Sequence, residues 1–245
     1  MELKVGVAQI ASLSGSIERN IGAHIEAVEV AARWNVSYLT FPELSLIGYE
    51  PELSKALAIS VNDPRLKPLQ IAARTCGLFI VVGAAIATDA LPKIGAVIFS
   101  PDGETRTYAK MHLHQGEERY FSVGTGYELV SLGENTIANA ICADTNAIEH
   151  VTGCVERGAS AYISGAMITR GGYAKDTDVL RKYARDYGIL VALANHSSRS
   201  SSGRPCGKSA IWAPSGLLAQ ASEGQSAIVF AQKSSAGWSG GVIDI

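Results

Sequence analysis

The sequence predicts an α/β protein of four layers, α-β-β-α, in which two mixed sheets pack face to face and helices cover their outer sides. Three observations lead there. Stretches of strand-like and helix-like hydrophobic period alternate along the chain, each half closes that alternation with a Pro-x-Gly hairpin, and 47% of the 245 residues are hydrophobic, enough for a large core. A single doubly wound parallel sheet fits less well, because the hairpins and the strand pair within 126–142 require antiparallel neighbours.

Residues 2–9 read as a buried strand, since Leu3, Val5 and Val7 alternate with mostly small residues. Ile17, Ile21, Ile25, Val28 and Ala32 then recur at helical spacing up to about Trp34. A strand at 37–41 follows, then a helix at 64–76 opened by Asp63-Pro64 and closed by Gly77, and a strand at 78–85. Segments 94–100 and 105–110 flank Pro101-Asp102-Gly103-Glu104, a turn sequence that makes them a hairpin. The second half repeats the order. Strands near 126–132 and 136–142 precede a helix near 147–157, a strand at 161–164 and a helix at 174–187 closed by Gly188; further strands are expected at 189–194, 207–213, 217–220 and 225–231. Pro214-Ser215-Gly216 forms the second hairpin turn. We read residues 1–245 as one domain with a short tail at 231–245, and the run Ser197–Gly203 as a surface loop.

With 23 acidic and 21 basic residues the formal net charge is -2, so no overall positive field draws nucleic acid or an anionic membrane. The longest apolar stretch, 77–87, is about half of what a bilayer requires, and no export signal precedes Val5, which makes a cytoplasmic protein the expectation. Cys76, Cys142, Cys154 and Cys206 are too sparse for a disulfide scaffold and form no CxxC pair. His112-x-His114 lacks a third ligand nearby, so no metal site is expected, and Gly124-Thr125-Gly126 lacks the remainder of a dinucleotide loop. Arg119 and Arg170 read as solvated arginines.

Three residues stand out by placement. Glu43 follows the strand at 37–41 directly after Pro42, Lys110 ends the second hairpin strand, and Cys142 ends the strand before Ala143-Asp144. A sheet gathers its strand ends at one edge, where ligands commonly bind. A carboxylate, an ammonium and a thiol at such an edge supply a base, an oxyanion stabiliser and a nucleophile, the set that acyl transfer needs without metal or cofactor.

Those residues also carry a resemblance. Phe41-Pro42-Glu43-Leu44 with Gly48-Tyr49, then Tyr108-Ala109-Lys110-Met111-His112-Leu113, then Ala140-Ile141-Cys142-Ala143-Asp144 are similar to the three signatures of the nitrilase superfamily of carbon-nitrogen hydrolases, in the same order. Supporting similarity runs from Val5-Gly6-Val7-Ala8-Gln9 through Tyr120–Gly124 and Ala194-Asn195 to Gly207-Lys208-Ser209 and Pro214-Ser215-Gly216. The resemblance implies a sandwich fold, a small amide substrate, no cofactor and a homodimer or larger assembly. It assigns Glu43 as general base, Lys110 as stabiliser of the tetrahedral intermediate, Cys142 as nucleophile, and Ala143 as an oxyanion donor through its backbone N–H. Tyr49 and Met167 join the substrate-binding set. A second acid is implied four residues before Phe121, at Glu117, although Glu118 adjoins it. Nitrile hydrolysis, or a silent binding protein of the same fold, are the alternatives. The chain departs from the family pattern with Ala143 for an aromatic residue, Asn146 for arginine and Ile148 for proline, which bears on the substrate rather than on the central reaction.

Overall fold

A computed structural model describes residues 3–197 and 203–245 of the chain, so most of the serine-rich run at 197–203 lies outside the described residues. Strand β1 (Lys4–Gln9) is buried beyond its first residue, as expected for a strand covered on both faces. Helix α1 (Ile17–Arg33) turns Ile17, Ile21, Ala27, Val28 and Ala31 inward. Then come β2 (Tyr38–Thr40), the short α2 (Ser54–Leu57), α3 (Lys67–Cys76) and β3 (Phe79–Ile86). Asp63 opens the path into α3 by accepting the Arg65 N–H at 2.9 Å, and Gly77 closes it at φ 67°, a left-handed cap that an L side chain would strain. Around the turn at 101–103, β4 (Lys93–Phe99) pairs with β5 (Thr105–Ala109).

The second half runs β6 (Leu129–Leu132), β7 (Asn135–Ile141), α4 (Ile148–Glu156), β8 (Ala161–Ala166), α5 (Arg170–Tyr187) and β9 (Leu190–Asn195). It closes with β10 (Ala210–Ala213), β11 (Gly216–Gln220), β12 (Ala227–Ser234) and β13 (Gly237–Asp244). Two expectations change here. Helix α5 begins at Arg170 rather than 174, because the helix-poor pair Gly171-Gly172 is carried inside it. The stretch 231–245 is not a tail: it completes β12 and forms β13, which pairs with β12 along the full length of both strands.

The seven-stranded sheet has the order β13-β12-β1-β2-β3-β4-β5 and the six-stranded one β11-β10-β9-β8-β7-β6. Each has three parallel strands at its centre, β1-β2-β3 and β7-β8-β9, flanked on both sides by antiparallel strands. The sheets face one another, with β1 against β9, β2 against β8 and β11 against β13. Helices α1 and α3 pack together beside the first sheet, and α5 covers β9 and β10 of the second. The expected four layers are therefore present. Between the sheets the Tyr38 hydroxyl donates to Asn139 Oδ1 at 2.8 Å and the Ser209 N–H to Gln9 Oε1 at 2.8 Å, so these three buried polar side chains are paired. No helix among the described residues is long and apolar enough to cross a membrane.

Strand direction then places the chemistry. β5 is antiparallel to β4, which is antiparallel to β3, so β5 runs with the parallel strands β2 and β3 and its C-terminal end emerges at their edge. In the facing sheet β7, β8 and β9 likewise end together.

Candidate active site

Glu43, Lys110 and Cys142 each follow a strand end, three, one and one residues beyond β2, β5 and β7, and they meet. Lys110 Nζ donates to Glu43 Oε1 at 2.7 Å and to both oxygens of Glu117 at 2.9 and 2.8 Å. All three side chains are buried, Lys110 and Glu43 completely. Of the adjacent acids it is Glu117 that joins the cluster; Glu118 is exposed and accepts the Gly116 N–H. Glu117 is fixed further by the Tyr49 hydroxyl at 2.5 Å and by the His114 N–H at 2.7 Å. Its carboxylate thus accepts from three donor groups while Glu43 has one oxygen, Oε2, buried with no hydrogen bond among the described residues. The Cys142 thiol interacts with this carboxyl, and a buried oxygen without a donor beside an S–H is poised to receive a proton.

The electrostatics follow from burial around one cation. Burial pushes the Glu43 carboxyl up to about 7; Lys110 opposes the shift and Glu117 adds to it. Lys110 would be driven down by burial, but Glu43, Cys142 and Glu117 hold it well above the usual ammonium range, so it stays charged. Burial, with Glu43 next, raises the Cys142 thiol far above its ordinary value. The sulfur therefore rests as a thiol rather than a thiolate.

Cys142 occupies a strained position. Its φ is 44°, a left-handed conformation that a non-glycine residue rarely adopts, at the first residue of the 3-10 turn Cys142–Asn146. Three contacts hold it there: the Cys142 N–H donates to Ser164 Oγ at 3.2 Å, Thr145 Oγ1 donates to the Cys142 carbonyl at 2.8 Å, and the Ile141 N–H donates to Asp144 Oδ2 at 2.9 Å. The Met167 backbone N–H, at the end of β8, faces the Cys142 sulfur and favours its anionic form.

Asp144 received no role from the sequence beyond its place in a motif. Completely buried, it also accepts the Tyr108 hydroxyl at 2.6 Å and the Met111 and His112 N–H groups at 3.0 and 2.9 Å. It therefore ties the turn bearing Cys142 to the segment bearing Lys110. Asn195 was equally opaque: its side chain bonds Ile168 N and O, both at 2.9 Å, and so fixes the segment that follows Met167. His112 contacts Asp144 at 3.1 Å, Arg119 is exposed, and exposed Arg170 pairs with Glu223.

Phe41–Leu44 threads between the sheets because both neighbours offer glycine. A methyl group on Gly83 would stand 2.2 Å from the Pro42 oxygen, and one on Gly165 would stand 2.5 Å from the Phe41 oxygen. Gly165→Ala is expected to push this segment, displacing Glu43 and destabilising the protein by about 1–3 kcal/mol, as overpacking typically does; urea unfolding beside activity measures both.

In front of the cluster lies a cavity of about 570 Å³ lined by Cys142, Tyr49, Glu117, Met167 and Asn146, with Lys175 and Asp176 also on its wall. Cys142 and Glu117 face it while Glu43 and Lys110 lie buried behind. Ala143 is buried at the start of the same turn.

Residues 4–239 match the carbon-nitrogen hydrolase family. Among curated proteins, the glutamine-dependent NAD(+) synthetase of Thermotoga maritima is 29% identical over 79% of this chain, and that of Xanthomonas campestris 26% identical over 79%. The chain spans about a third of the length of these relatives, 35% and 37%. Among solved structures, an amidase of the nitrilase superfamily from Nesterenkonia AN1 superimposes with a TM-score of 0.86 at 22% identity, covering 96% of this chain and 91% of that one. A mutant of that amidase in complex with butyramide also gives 0.86, at 21% identity over 94% and 90%.

Proposed function

The chain belongs to the carbon-nitrogen hydrolase family, within the nitrilase superfamily, and from that premise we propose that it hydrolyses the carbon-nitrogen bond of a small amide through a thioester on Cys142. One observation carries the reading: a single buried ammonium touches two buried carboxylates beside a thiol that opens onto a cavity. The likeness to an amidase solved with butyramide supports the amide over the nitrile.

Glu43 takes the thiol proton as Cys142 Sγ attacks the carbonyl carbon, and the carbonyl π electrons move to oxygen. Lys110 and the Ala143 N–H stabilise that oxyanion. The protonated Glu43 then passes its proton to the leaving nitrogen, the C–N bond breaks, and ammonia or an amine departs. Water, deprotonated by Glu43, attacks the thioester; the C–S bond breaks, the carboxylic acid leaves and the thiol is restored. Glu117 keeps Lys110 charged and in place throughout, and Tyr49 holds Glu117.

Because Glu43 must begin as a carboxylate and titrates at about 7, kcat/KM is expected to rise as pH increases through that value. Steady-state ammonia release from a panel of small primary amides, followed across pH, tests both substrate class and base. A panel without turnover contradicts the amidase reading, and a profile flat across about pH 6 to 8 contradicts the role of Glu43.

A further inference from the structure

Behind the Glu43 turn lie two buried histidines that the reaction does not use. His24, on α1, and His196, just after β9, are almost wholly removed from solvent, and burial pushes both imidazoles down to about 4, so they are neutral near neutrality. Their hydrogen-bond partners determine their tautomers. His196 Nε2 lies 2.7 Å from the Glu43 carbonyl oxygen, which only accepts, so Nε2 carries the hydrogen. His24 Nδ1 lies 2.6 Å from the Asn20 carbonyl and must donate there. Its Nε2 therefore accepts from the Ser45 hydroxyl at 2.8 Å, and Ser45 Oγ in turn accepts the Gly83 N–H at 3.1 Å. The His24 ring also packs on Phe41, with centroids 4.2 Å apart.

Between these two anchored residues, Glu43 and Ser45, sits Leu44 at φ 53°, a left-handed residue with no glycine to relieve it. A strained turn keeps its shape only where its surroundings over-determine it. Here one histidine reaches it from the outer helix and the other from the facing sheet. We infer that His24 and His196 are positioning residues for Glu43: they clamp the left-handed turn from opposite sides and so aim the carboxylate at the Cys142 thiol. The inference rests on Glu43 being the base proposed above.

The test compares His196→Phe, which keeps ring volume but deletes the donor, with His196→Gln, whose side-chain amide can restore it, and with Ser45→Ala, which removes the bond to His24 without adding bulk. For each, kcat, KM, the acid limb of the kcat/KM profile and the thermal midpoint are measured. Misplacing a catalytic group by about 1 Å can cost ~10²-fold. His196→Phe and Ser45→Ala are therefore expected to lower kcat by ~10- to 100-fold with KM little changed and the acid limb displaced, and His196→Gln to recover most of the loss. A merely structural role lowers the thermal midpoint and leaves kcat and the limb where they were; that result overturns the inference. Should His196→Phe not fold, Ser45→Ala decides alone. An inactive parent enzyme overturns the amidase reading and this one together, whereas an active parent with unmoved variants overturns only the histidine assignment.

Discussion

Lys110→Met is expected to reduce turnover by at least ~10²–10³-fold, the usual cost of one oxyanion donor, and to destabilise the fold as well. The ammonium is the shared partner of Glu43 and Glu117, at 2.7 and 2.8 Å, with no solvent to replace it. Removing one member of a buried charge cluster typically costs about 3–5 kcal/mol, because the remaining charges stay buried and uncompensated. The pH dependence has a definite sign. Glu43 already titrates at about 7 against an ordinary 4.5, and without Lys110 the opposing influence is gone, so its carboxyl rises further. The folded variant then holds a proton that the unfolded chain releases above about 4.5. Its stability is greatest at acid pH and falls as pH climbs. Urea unfolding at acid and alkaline pH checks this; a variant as stable as the parent at both, with ordinary turnover, contradicts the account.

Cys142→Ala is expected to abolish turnover while leaving the cavity able to bind amide. The thiol is not a core-filling group here, since it opens onto the cavity and sits in a left-handed turn where alanine is no more strained than cysteine. The thermal midpoint should therefore move little. Residual activity within about tenfold of the parent would mean that water attacks the amide directly and that no thioester forms.

The parts of this site that depend on strand ends were legible in the sequence, because Pro42, the hairpin and the Ile141–Cys142 boundary each mark where a side chain leaves a ladder for the sheet edge. What strand ends cannot reveal is who supports whom. Asp144 joins two segments more than thirty residues apart through four backbone or hydroxyl donors, and His196 reaches Glu43 across 153 residues; no local pattern encodes either. Glu117 was separated from Glu118 only by burial. The edge strand β13 is not evident in the sequence because Gly237, Gly240 and Gly241 weaken its strand signal, and close packing explains two of them: side chains at Gly240 and Gly241 would meet Leu218 and the Phe230 ring at 2.8 Å. The start of helix α5 is obscured for a related reason, because Gly171 and Gly172, residues of low helix propensity, lie in its first turn.

The proposed reaction passes through a covalent bond between the substrate acyl carbon and one sulfur. Rapid acid quench of the enzyme during turnover of a small primary amide, followed by intact-mass and peptide mass spectrometry, looks for that bond directly. A mass increase equal to the acyl group is expected, mapped to the peptide containing Cys142 and absent from Cys142→Ala. Turnover with no adduct at Cys142, or with an adduct on Cys76, Cys154 or Cys206 instead, would contradict it.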